Sequence, residues 1–337
     1  MRVASAVVVL FVSAWVAPGQ VSAASPGPTS SALFRLSDPQ IDESSGIAAS
    51  SFDDTFYTFN DSGDSARFFR VDDHGNTAAI YTLRGAKNID WEDMATGTDQ
   101  GGKPVLYFGD IGDNDRVRKE IAVYRVPEPH GPSAEVPWAK YRFAYPDGPH
   151  DAEALLVDPR SHRIYIATKE LLGAGTLYEA PSALSAVNVN MLAPVGSDPP
   201  LTTSADFAPD GSRVVLLTYL GAYWADDVGA AWHRFDVPLP SQAEAIAYVR
   251  DGSAVLVGGE GAHATVYRAP ATTESLAPAA STASPNVGPS AAAHSPRPSQ
   301  ALTTGRSSGL PIGVIILIAV GAVVVAALLV VRGRRTR

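Results

Sequence analysis

One short phrase recurs five times along the chain and leaves few folds open to it: Glu43-Ser44-Ser45-Gly46-Ile47-Ala48, Glu92-Asp93-Met94-Ala95, Glu153-Ala154-Leu155-Leu156, Ala205-Asp206-Phe207-Ala208 and Glu244-Ala245-Ile246-Ala247. The intervals are 49, 61, 52 and 39 residues. Each phrase is followed, after a turn, by an apolar strand: Phe56 to Phe59, Val105 to Phe108, Arg163 to Ala167, Arg213 to Thr218 and Ala254 to Val257. A third strand comes next, at Arg67 to Val71, Ile121 to Val126, Thr176 to Ala180, Ala222 to Ala225 and Ala264 to Ala269, and a weaker fourth follows in most units. Period-2 alternation dominates, and almost no segment keeps a helical period, so the domain reads as all-β. About four strands per unit at this spacing predict a β-propeller, with blades packed around a central channel. Five blades are counted, with six as the alternative. The fifth runs out after Ala269, while a spare strand, Ala32 to Leu36, precedes the first phrase. Closure of the ring by that N-terminal strand would cover the edges an incomplete blade exposes. The propeller is expected to span 32–270.

Both ends of the chain read differently from the middle. Met1-Arg2, the apolar run Val7 to Val16 and the small residues Val21-Ser22-Ala23 have the three-part pattern of a secretory signal, with cleavage expected after Ala23. Residues 271–308 are Ala, Pro, Ser and Thr with few large apolar side chains, a composition that cannot offset ordering entropy by burial, and they read as a disordered stalk. Leu310 to Val331 carries no charge and is long enough as a helix to cross the bilayer; the transmembrane helix is taken as 309–331. Arg332, Arg334, Arg335 and Arg337 in the tail 332–337 mark the cytoplasmic side. The expected location is therefore the cell membrane, single-pass, with the N-terminal domain extracellular and the C-terminus cytoplasmic.

The chain holds 26 basic and 35 acidic residues; setting aside Arg2 and the four tail arginines leaves 21 against 35, a net charge of about −14. Such a surface repels nucleic acid, which is excluded as a partner. No cysteine is present, so neither disulfides nor thiolate ligands contribute. The expected partners are the membrane, through the C-terminal helix, and an extracellular ligand or substrate that the sequence does not identify.

If the phrase is the innermost strand of each blade, Glu43, Glu92, Glu153 and Glu244 converge at the channel mouth, with Ala205 at the matching place in the fourth blade. Like charges at close range need cations, protons or donors to compensate them. Asp61, Asp90, Asp110, Asp113 and Asp151 lie at related places in the repeats and are expected on the same face. Oxygen-only ligands suit a hard cation, and calcium is the expected cofactor, with Asp61, Asp90, Glu92, Asp110, Asp113, Asp151 and Glu153 as the candidate ligands. The alternatives are hydrogen bonds between blades for the glutamates and a β-turn for Asp110-Ile111-Gly112-Asp113-Asn114. Ligand-binding candidates are Glu43, Glu92, Glu153, Glu244 and Lys169. His150, beside Asp151, is a candidate acid or base or else a turn residue without a role. Lys169 would pair with the glutamates, bind a phosphate, or stay solvated. With Glu92 and Glu153 these two complete the catalytic candidates. Trp91 is expected to pack between blades, as are Tyr219, Tyr223 and Trp224, although these last three could instead line a mouth.

Glu43-Ser44-Ser45-Gly46, Asn60-Asp61-Ser62-Gly63, Asp90-Trp91-Glu92-Asp93, Gly109-Asp110-Ile111-Gly112-Asp113-Asn114, Tyr145-Pro146-Asp147-Gly148 and Asp151-Ala152-Glu153-Ala154 together resemble a family of exported bacterial β-propeller proteins. The chain is also distantly similar to the "esterase-like activity of phytase" propellers. The resemblance implies a propeller with an acidic, calcium-binding face; it does not fix a reaction. Three function classes stay open: a cell-surface binding module, a metal-assisted hydrolase of phosphate esters, and a glycoside hydrolase using central carboxylates.

Overall fold

The computed structural model describes residues 29–271, and within them five sheets, each with four antiparallel strands and two with a short fifth, form a closed five-bladed propeller. From the axis outward, blade 1 runs Ser44–Ala49, Phe56–Asn60, Arg67–Val71 and Thr77–Thr82; blade 2 runs Trp91–Thr98, Pro104–Asp110, Ile121–Pro127 and Ala139–Ala144. Blade 3 is Ala152–Val157, Ile164–Thr168, Gly175–Glu179 and Ala193–Asp198, and blade 4 is Thr202–Phe207, Val214–Thr218, Gly221–Ala225 and His233–Phe235. Blade 5 takes three strands from the C-terminal end, Ala243–Tyr248, Ala254–Gly259 and Thr265–Pro270, and its outermost from the N-terminal end, Ser31–Arg35, which pairs antiparallel to Thr265–Pro270. The ring closes as the sequence predicts.

Each blade is covered on both faces by its neighbours, so the two inner strands cannot alternate apolar with polar. Phe56–Asn60 and Val214–Thr218 are buried at every position. The cores lie between blades rather than within one centre. Five clusters of buried residues fill the five interfaces, and the one between blades 1 and 2 holds Trp91, stacked on Phe108 at 5.0 Å.

Two short strands were not legible in the repeat. Ala134–Glu135, in a loop of blade 2, adds in parallel to the outer edge of blade 1, and Asn190–Met191, in a loop of blade 3, does the same to blade 2. They stitch each blade to the one before it and cover an open edge. Among the described residues no helix is long and apolar enough to cross a membrane. The signal segment, stalk, transmembrane helix and basic tail expected from the sequence lie outside the described residues.

Candidate functional site

All five innermost strands carry a β-bulge at the same step, where two of their residues face one on the second strand. The residues at the bulge are Ser45, Glu92, Glu153, Thr203 and Glu244. This corrects the sequence register in two blades. Glu43 lies two residues ahead of the bulge and is exposed, so it does not match the other glutamates, and Thr203 rather than Ala205 holds the place in blade 4. Ser45 and Thr203 serve the backbone of the next blade, donating to Glu92 O at 2.6 Å and Ala243 O at 2.8 Å. Three carboxylates therefore mark the mouth. Glu92, Glu153 and Glu244 are all at least nine-tenths buried.

A second tier comes from the residue just past each second strand: Asp61, Ile111, Lys169, Tyr219 and Glu260. In four of them the backbone N–H donates to the residue just ahead of the innermost strand of its blade, to Glu43, Asp151, Leu201 and Gln242. This fixes Lys169 and Tyr219 side by side. Lys169 Nζ bonds the Glu153 carboxylate and donates to Tyr219 Oη at 3.1 Å, and Tyr219 Oη donates to Glu244 Oε1 at 2.7 Å. Burial works against a charged Lys169, but Glu153, Tyr219 and Glu244 outweigh it and hold the ammonium well above the usual lysine range. Burial pushes the Glu244 carboxyl up to about 7, against the pull of Lys169 and Tyr219.

The other half of the mouth gathers acidic side chains, with Lys169 acting on Glu92 only as a weaker opposing charge. Asp61, Asp90 and Glu92 bring ligand oxygens within 4.8 Å of one another. Burial, then the charges of Asp61, Glu153 and Asp90, push the Glu92 carboxyl well above the usual range. Room for this approach comes from Gly112, where a Cβ would stand 2.0 Å from Glu92 Oε1 and 2.6 Å from Asp90 Oδ2. Asp110, Asp113 and Asp151 are not in this trio, although Asp110 Oδ1 accepts from Asp90 N at 3.2 Å. Asp110 pairs with Arg118 at 2.8 Å, Asp113 accepts from Arg118 N at 2.7 Å, and Asp151 accepts from Asp113 N at 2.9 Å. These bonds brace the Gly109–Asn114 loop, and Glu153 is held by Lys169. His150 sits in an aromatic corner, its Nε2 3.1 Å from both Tyr178 Oη and Asp147 Oδ1. Tyr223 and Trp224 pack between blades, whereas Tyr219 joins the site.

No protein-family model and no curated protein matches the chain. Among solved structures, a gluconolactonase from Xanthomonas campestris, described as important in glucose secondary metabolic pathways, is similar over 69% of this chain and 87% of that one. Identity is 13% and the TM-score 0.43, a likeness too distant to bear on activity.

Proposed function

We propose that the chain is an exported, membrane-anchored β-propeller whose acidic mouth holds calcium through Asp61, Asp90 and Glu92 and presents it to a ligand outside the cell. Glu92 carries the metal reading. It is 6% exposed, no donor among the described residues is placed on its carboxylate, ligand oxygens of Asp61 and Asp90 lie within 4.8 Å of its own, and Gly112 keeps free the space beside Glu92 and Asp90. A buried carboxylate in such company needs a counter-cation, and three carboxylates without soft ligands suit calcium. Export and anchoring are supported by the signal-like N-terminus, the uncharged run 310–331 and the arginines beyond it.

Bound there, calcium would supply positive charge for a ligand's oxygens. A second reading, hydrolysis of phosphate esters, draws on Lys169 at the same mouth, but its ammonium is already taken by Glu153 and Tyr219. The same pairing removes Glu153 as a free glycosidase carboxylate, so binding is favoured over both. Melting the protein in calcium and in chelator tests the proposal: a ligand of the folded state alone raises stability by about 2.7 kcal/mol at a hundredfold excess over Kd. Identical melting curves would reject it, and turnover of chromogenic phosphate esters would replace binding by hydrolysis.

A further inference from the structure

The channel is closed midway. Asp93 of blade 2 is fully buried and accepts hydrogen bonds from Leu155 N at 2.9 Å, Ser204 Oγ at 3.1 Å and Ala205 N at 3.2 Å, joining blades 2, 3 and 4 across the axis. The acidic mouth and the mouth at the opposite face are therefore separate places. The opposite mouth is a cavity of about 200 Å³ lined by the ends of all five innermost strands.

One residue in its wall breaks the repeat. Three residues past the bulge the innermost strands carry Ala48, Ala95, Leu156 and Ala247 in four blades and Asp206 in blade 4. Asp206 is 9% exposed, and its Oδ2 accepts from Tyr248 N at 2.8 Å. That bond needs only an oxygen, which a neutral side chain would also provide. A charged carboxylate this deep is costly without a cation, and among the described residues none pairs with it. Arg250, at the same mouth, is turned to Asp54 at 3.2 Å and Phe52 O at 3.4 Å. Val157, Phe207 and Pro209 supply apolar wall beside the carboxylate.

We propose that this far mouth is a second binding site, for a small organic cation with an ammonium group on a compact apolar body, the ammonium pairing with Asp206 and the body lying against Val157, Phe207 and Pro209. This site is independent of the calcium reading.

The test is a calorimetric titration of the purified full-length protein with cyclohexylammonium chloride and with cyclohexanol, its neutral isostere. The ammonium is expected to bind saturably and at least about tenfold more tightly than the alcohol, a difference of about 1.4 kcal/mol. Asp206→Asn keeps an acceptor for Tyr248 N but removes the charge, and is expected to weaken ammonium binding by about tenfold or more while the protein melts no lower than the parent. No saturable binding to the parent, equal affinity for both probes, or equal affinity in Asp206→Asn would each overturn the proposal. The comparison of the two probes holds even if the variant does not fold.

Discussion

Ser204 Oγ lies 3.1 Å from Asp93 Oδ1, and this bond links blades 4 and 2, which are not neighbours in the ring. Met94 N at 2.8 Å adds to the donors already on that carboxylate. Burial pushes the Asp93 carboxyl well up, and these donors pull it down. Removing it should strand donors in the middle of the molecule. Asp93→Ala is expected to cost about 3–5 kcal/mol in urea unfolding, since each buried donor left without an acceptor costs roughly 1–3 kcal/mol. A loss below about 1 kcal/mol would mean the plug contributes little.

Lys169 balances the opposite half of the acidic mouth. Lys169→Met leaves Glu153 buried without its cation and should destabilise by about 3–5 kcal/mol. Adding Glu153→Gln should recover much of that loss, because the uncompensated charge goes with it. A double-mutant cycle with no coupling would contradict the pairing.

Asp198 gives the pH dependence its sign. Its Oδ2 accepts from Thr202 Oγ1 at 2.8 Å, its Oδ1 is buried with no partner among the described residues, and burial pushes the carboxyl from 3.8 up to about 7. Between those values the folded protein keeps a proton that the unfolded chain has lost. This contribution is fully present below about pH 4 and is lost as pH rises through about 7. Asp198→Asn should flatten the fall in stability over this window, by up to on the order of 4 kcal/mol, and raise the melting temperature at pH 8. An unchanged pH profile would show that Asp198 does not titrate there.

The closing strand should matter as much as any core residue. Phe34 packs on Phe56 at 5.2 Å, and Leu36 is 2% exposed with its N–H on Ala264 O at 3.0 Å. Leu36→Ala is expected to cost about 2–5 kcal/mol. Removing residues 31–38 bares the edge of Thr265–Pro270 and should cause aggregation. A truncated protein that melts like the parent would contradict closure.

The propeller was legible because blades covered on both faces need apolar inner strands, and these recur with recognisable spacing. The register within them was harder to read. A bulge puts two residues opposite one, so matching glutamate to glutamate carried Glu43 into a place that Ser45 holds. Tyr219 was legible as a mouth residue but not separable from Tyr223 and Trp224, which pack between blades; what sets it apart is the Thr168-Lys169 and Thr218-Tyr219 pairs at the ends of equivalent strands. Asp206 stood in plain view within a phrase, but only the register shows that its four counterparts are apolar. Ala134–Glu135 and Asn190–Met191 are two residues long, too short for any period to mark them.

Calcium binding at Asp61, Asp90 and Glu92 is the centre of the account, and calorimetric titration of the parent and of Glu92→Gln measures it most directly. The parent should bind calcium saturably. Glu92→Gln, which keeps the shape and loses the charge, should bind at least about tenfold more weakly and, without calcium, be no less stable than the parent. Absence of heat in the parent, or equal affinity in the variant, would contradict the account.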